Sequence, residues 1–149
     1  MRSFREICEV YLKTNGYLSK QEQQARSVNS RSRWGRMRKL NDQAHFVMMF
    51  AQLEDRINTL CKRLIDKRKR SNHWKRRRPW EILPNDMDRI AFRNRVALLV
   101  DRNSAAFKQI VDYYKDRCDI AHGNISSVRL IVMTATAPEL QHLARSLEN

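Results

Sequence analysis

Glycine and proline are scarce in this chain, three of each in 149 residues. A fold built of strands spends both residue types on its many tight turns, so the shortage excludes an all-β protein and leaves an all-α one as the expectation. Cysteine is scarce as well. Cys8, Cys61 and Cys118 are odd in number and show no C-x-x-C spacing, which excludes a disulfide framework and a cysteine-based zinc site. No other pattern calls for a metal or a cofactor, and none is expected. No apolar run approaches the ~20 residues of a membrane span. The opening "MRSFREICEV" lacks the unbroken apolar core of a signal peptide. A cytoplasmic protein with reduced thiols and no membrane partner is the reading that fits.

Acidic residues are the other deficit. Sixteen Asp and Glu stand against thirty Lys and Arg, a formal net charge of +14. Such a surplus repels itself, and a polyanion relieves the repulsion. Nucleic acid, RNA or DNA, is the first candidate partner, ahead of an acidic membrane face. Hydrophobic residues make up 42% of the chain, enough for a core.

One helical domain is expected over 1–149. Its parts are an N-terminal helix with a basic connection (1–40), a core bundle (41–123) and a C-terminal segment with a helix (124–149). In the first part Phe4, Ile7, Cys8 and Tyr11 recur at helical spacing, and Asn15-Gly16 stops the pattern. From Ser19 to Lys39 the chain reads as an exposed connection anchored by Trp34.

The strongest periodic signal is Phe46, Phe50, Leu53, Ile57, Leu60 and Leu64, one apolar stripe on a helix capped by Asn41 or Asp42 and running to about Arg68. Asn85 or Asp86 caps the next helix, buried through Ile90, Ala97 and "VALLV". Ser104 caps another, with Phe107, Ile110, Val111, Tyr114 and Cys118 on one face. From Ser126 to Met133 strand and buried helix are both open. A last helix starts near Pro138 and turns Leu140, Leu143 and Leu147 inward. The sum is an antiparallel, up-and-down bundle of four to five helices.

Two stretches carry chemistry. Eight Lys or Arg fall between Lys67 and Arg78, in "DKRKRSNHWKRRRPWE". This reads as a solvated loop whose Arg68, Lys69, Arg70, Lys75, Arg76, Arg77 and Arg78 grip phosphates, with Trp74 or Trp80 placed to stack on an unpaired base. The second is "YYKDRCDIAHGN". Arginine offers a fork of donors to phosphate oxygens. An imidazole can take a proton from a ribose 2′-hydroxyl or return one to a departing 5′-oxygen. Arg117 and His122 are thus a minimal kit for metal-free RNA cleavage. The spacing alone is weak, since Arg38 with His45 and Arg68 with His73 also match it. Five residues of unbroken helix separate two side chains by ~140°, so convergence within one chain requires a bend before "HGN". Asp119 stands three residues from His122, where it could set the tautomer.

The run "RCDIAHG" resembles the signature of the HEPN superfamily, Arg, commonly Asn, Asp or His, three further residues, then His. Here the pattern falls on Arg117, Cys118, Ile120, Ala121, His122 and Gly123. "FVMMFAQLEDRINTLCKRL" and "RIAFRNRVALLVD" are similar to the preceding helices of such domains, so the resemblance covers roughly Phe46 to Gly123. It implies a two-fold homodimer whose facing Arg–His motifs form one composite, metal-independent ribonuclease site. It also implies a toxin or antiviral-defence role. A free basic ribonuclease would threaten its own cell, so an antitoxin or inhibitor protein, or an activation trigger, is expected beside it. Cys118 departs from the usual polar residue, and the superfamily includes non-catalytic RNA-binding modules. Glu54 and Asp55, beside the long helix's stripe, are candidates for the cleft. A basic helical DNA-binding protein is the reading that gives Arg117 and His122 no role.

Overall fold

The computed structural model describes residues 2–124, 128 and 130–147. It is all-helical, and no strand occurs among the described residues. In chain order the helices are α1 (Arg2–Gln24), α2 (Val28–Lys69), α3 (Trp74–Glu81), α4 (Phe92–Leu99), α5 (Ala105–Ala121) and α6 (Met133–Ser146), with a 3-10 turn at Met87–Arg89.

The chain groups into two compact units. The first takes residues 1–52 and 114–141. Its base is a hairpin of α1 and the front of α2. Phe4, Tyr11 and Leu18 are buried at a seven-residue spacing, which keeps one face of α1 inward over its whole length. That stripe carries α1 through Asn15 and Gly16 to Gln24, so the expected stop is overridden by packing. Nor is 19–39 a loose connection. α2 starts at Val28 with Ser27 as its cap, the Ser30 N–H donating to Ser27 Oγ at 3.1 Å. Asn41 and Asp42 lie inside the helix, and Asp42 accepts the Tyr11 hydroxyl at 2.7 Å. The two helices come close at Gly35, where an added Cβ would meet Glu22 Oε1 at 3.1 Å. The core of this unit holds Phe46, Met49 and Phe50, all fully buried, with Phe50 6.2 Å from the Tyr114 ring.

The second unit takes 53–113 and 142–149. Leu53, Ile57, Cys61 and Ile65 form its spine on α2. The expected stripe thus turns after Ile57, because steps of four rotate the buried line along a straight helix. Leu60 and Leu64 end half-buried, one residue short of Cys61 and Ile65. Ile90, Phe92, Val96, Phe107 and Ile110 pack in the same unit. Asp86 does cap, but its carboxylate holds the 3-10 turn through the Asp88 N–H, and α4 begins six residues later. Ser104 caps α5 as expected, accepting from the Phe107 N–H at 3.1 Å. On α5 the buried face runs through Phe107, Ile110 and Tyr113, while Val111, Tyr114 and Cys118 are half-buried.

α6 begins at Met133, five residues before Pro138, and Leu140, Leu143 and Leu147 are buried. Residues 125–127 and 129 of the ambiguous segment lie outside the described residues. The stretch 130–132 has no regular structure, with Ile131 buried between exposed Leu130 and Val132.

Burial pushes the Cys61 thiol up, from 9.0 to about 11, against the opposing charge of Arg95. A thiol held protonated by the fold contributes stability below pH 9 and loses it as the pH rises toward 11. Cys61→Val is therefore expected to flatten the alkaline fall in stability, measured by urea titration at stepped pH. In the native protein Cys61 should resist a thiol reagent until denaturant is added, with mass spectrometry identifying the labelled positions.

Candidate functional site

α5 runs without interruption from Ala105 to Ala121. The His122 N–H still donates to the Cys118 carbonyl at 3.0 Å, so the helical ladder passes Arg117 and closes on His122. The break comes only after it. Gly123 takes φ +79, its N–H reaches the Ile120 carbonyl at 3.0 Å, and the Asn124 N–H reaches the Asp119 carbonyl at 2.9 Å. These paired bonds are the Schellman turn that a left-handed glycine permits. His122 is thus the capping residue just past Ala121, exposed, on a backbone fixed by the glycine turn. The bend that convergence within one chain would need, between Arg117 and His122, is absent. Their side chains leave α5 ~140° apart and ~7.5 Å along its axis.

Around this pair Cys118 and Asp119 are half-buried, Arg117 likewise, and Asp116 is buried. Asp119 and His122 share no hydrogen bond, so the carboxylate does not set the imidazole tautomer in this structure. Ala121 is exposed and Ile120 half-buried, rather than both turning inward.

The basic stretch is more ordered than a loop. α2 continues to Lys69, and Trp74–Glu81 forms α3, a helix with no buried residue. Two of the expected RNA-gripping cations hold this arrangement together. Lys69 Nζ donates to the Leu83 carbonyl at 3.1 Å and to Asn85 Oδ1 at 2.7 Å. Arg77 donates to Glu81 Oε1 at 2.6 Å and to the Ser71 carbonyl at 3.1 Å. Two more lie on indoles, Arg68 at 5.7 Å from the Trp80 ring and Arg78 at 5.2 Å from Trp74. Arg70, Lys75 and Arg76 stand exposed, and Trp74 is 53% exposed. Pro79 inside the helix removes a backbone donor two residues before its end, consistent with so short an element.

Of the acidic candidates, Glu54 lies 3.9 Å from the buried Arg95 guanidinium, and Asp55 is exposed on α2. Both belong to the second unit, Arg117 and His122 to the first.

Two features escaped the sequence reading. Arg95 is 7% exposed, donating to Asn58 Oδ1 at 2.5 Å and lying 5.5 Å from the Phe92 ring. Its position on the Phe92–Val96 face of α4 was the available signal. The other is a cleft of about 510 Å³ at the head of α5, lined by Arg93, Arg102 and Lys108 beside Ser104 and Phe107. "DRNS" signalled only a break and a cap. Among the described residues no group of three or more His, Cys, Asp or Glu is arranged to hold a metal ion. No helix is long and apolar enough to cross a membrane, among those same residues.

No protein-family model matches the chain, and neither a curated protein nor a solved structure matches it.

Proposed function

We propose that this protein is a metal-independent endoribonuclease of HEPN type, a toxin or defence effector that works as a two-fold homodimer. The observation that carries the reading is the end of α5. An exposed histidine sits on a backbone fixed by a glycine turn, with an arginine one and a half turns upstream. An unbent α5 keeps one chain's Arg117 and His122 on different faces, so a composite site shared by two copies is the arrangement this geometry favours.

In such a site one imidazole takes the proton of a ribose 2′-hydroxyl as that oxygen attacks the adjacent phosphorus. The second, protonated, gives its proton to the leaving 5′-oxygen. The arginines hold the non-bridging oxygens as negative charge develops on them. The products are a 2′,3′-cyclic phosphate and a free 5′-hydroxyl, and every proton is accounted for by the two histidines. A basic enzyme of this kind would call for an inhibitor protein in its own cell.

Cleavage of a labelled single-stranded RNA in EDTA is the test. Cyclic-phosphate ends support the proposal; intact RNA under conditions where the protein binds it would remove the chemistry.

A second reading, an RNA-binding module without chemistry, is favoured by α3. Its exposed cations and half-open Trp74 are suited to a single strand, phosphates on the guanidinium groups and a base on the indole. Lys75→Ala and Arg76→Ala are each expected to lower the slope of log K against log salt by about 0.7 for single-stranded RNA. Arg77→Ala should instead lower stability, because that side chain is spent on Glu81 and Ser71. Binding isotherms over a salt series, with a parallel melt, separate the two effects. Duplex DNA competing as well as RNA would move the protein to the DNA-binding reading.

A further inference from the structure

The α1–α2 hairpin has an outer flank that neither the proposed chemistry nor the core uses. On α1, Ile7, Val10, Thr14 and Tyr17 follow one another at steps of three and four, one side of the helix. On α2, Met37, Leu40, Ala44 and Met48 do the same. The two stripes lie on the same flank. They meet at one end around a depression of about 190 Å³ lined by Glu6, Ile7, Val10, His45 and Met48. At the other end the Tyr17 and Trp34 rings stand 6.4 Å apart, edge to face. The large side chains along this flank are well exposed: Val10 56%, Tyr17 58%, Met37 40%, Leu40 50% and Met48 44%. A run of apolar side chains this open is costly in water unless something covers it.

A polar atom also waits there. His45 is 6% exposed, and its Nδ1 lies 2.9 Å from the Asn41 carbonyl, so that nitrogen carries the proton and donates. Its Nε2 is buried with no hydrogen-bond partner among the described residues. The Tyr11 ring packs edge-on against the imidazole at 5.4 Å, but the Tyr11 hydroxyl is committed to Asp42. A buried polar atom left without a partner is costly.

The rim names the partner. Lys13 and Lys20 follow Val10 and Tyr17 by three residues on α1, while Arg33 and Arg36 precede Met37 and Leu40 by four on α2. All four are exposed. Glu6 is the acidic side chain at the depression's edge. Isologous pairing of this flank with a second copy would set these four cations against the same four, a repulsive rim around an apolar centre. A depression between two helices, lined in part by the buried His45, is shaped for a ridge of side chains rather than for a flat lipid surface.

We infer that the outer flank of the α1–α2 hairpin is a docking site for an acidic amphipathic helix of a partner protein. Apolar residues of that helix cover Val10, Tyr17, Met37 and Met48, and its flanking carboxylates pair with Lys13, Lys20, Arg33 and Arg36. The inference is independent of the ribonuclease reading, because none of these residues belongs to α3 or to the Arg117–His122 pair.

The experiment uses the full chain and a short helical peptide of Leu and Glu, with Leu at helical spacing, followed by calorimetric titration. A Leu/Lys peptide of the same pattern, vesicles of mixed neutral and anionic lipid, and sedimentation of the protein alone are run beside it. The Leu/Glu peptide is expected to bind, and Val10→Asp or Leu40→Asp to weaken it at least tenfold. Both positions are exposed, so the variants should keep the wild-type melt and RNA binding. Lys13→Glu with Arg36→Glu should reverse the preference between the two peptides. Equal binding by the variants, equal binding of the Leu/Lys peptide, or no binding at all would overturn the assignment. So would vesicle binding lost in Val10→Asp, which gives the flank to a membrane. A wild-type dimer dissociated by Val10→Asp would give it to a second copy.

Discussion

His122→Ala is expected to lower RNA cleavage in EDTA by about 100-fold or more, while RNA affinity and the thermal melt stay near the wild type. The side chain is exposed at the end of α5 and holds no part of the core. What it loses is the proton transfer at the 2′-oxygen and at the leaving 5′-oxygen, a contribution of about 10²–10⁴ in rate. Arg117→Ala should cut cleavage comparably and also raise KM, because a guanidinium holds the phosphate in the ground state as well as in the transition state. Arg117→Lys should recover little of it, since a point charge does not reproduce the fork. Gly123→Ala is the informative third variant. An L side chain at φ +79 costs about 1 kcal/mol and favours release of the turn that fixes His122. It should lower kcat with both motif residues in place. One control falls outside the motif. His73→Ala should leave cleavage unchanged, and a variant that binds and cuts like the wild type at His122 would leave α5 a structural helix. Discontinuous kinetics with end-group analysis of the RNA reads all of these.

The helical class was legible because burial in this chain is periodic, and α2 shows where legibility ended. Phe46, Phe50, Leu53 and Ile57 were found at their helical steps. A hydrophobic ranking favours Leu60 and Leu64 over Cys61 and Ile65, because it cannot see the buried line rotating as the neighbours change. The stretch 15–39 misled for a different reason. Its composition is polar, yet Leu18 completes the Phe4–Tyr11–Leu18 stripe, and Arg38 binds Glu22 at 2.6 Å across the hairpin. Tertiary contact supplied what propensity withheld. Near 131 the alternation of exposed and buried side chains resembles a strand, although the described backbone there has no regular structure.

At the candidate site the sequence placed Arg117 and His122 on α5 and anticipated the glycine turn. It could not tell whether that turn falls between them or after His122, since the Schellman bonds depend on φ at Gly123 and not on residue type alone. In the basic stretch, charge density was legible and division of labour was not. Lys69 and Arg77 read like their neighbours but are bound internally.

Arg95→Ala is expected to destabilise the protein by about 3–5 kcal/mol. A guanidinium in the core of the second unit is tolerated because its neighbours meet it. Asn58 Oδ1 accepts at 2.5 Å, Glu54 Oε1 stands 3.9 Å away, and the Phe92 ring lies 5.5 Å from the charge. Deleting it leaves a cavity and removes the donor facing Asn58 inside a packed unit. Its backbone carbonyl also accepts from Cys61 Sγ at 3.1 Å, a bond that survives the substitution and keeps α2 and α4 in register. The size of the charge term is separable from the packing term. Arg95→Met keeps most of the volume and should cost less than Arg95→Ala, since Nε is itself without an acceptor among the described residues and gains nothing from being polar. A double-mutant cycle of Arg95→Met with Asn58→Ala should show a coupling of about 0.5–3 kcal/mol. Urea midpoints at constant m-value give both numbers. Arg95→Ala within about 0.5 kcal/mol of the wild type would mean that this buried arginine is a passenger of the fold. A normal melt with lost RNA cleavage would instead assign it to the chemistry, and would tie the second unit to the function proposed for the first.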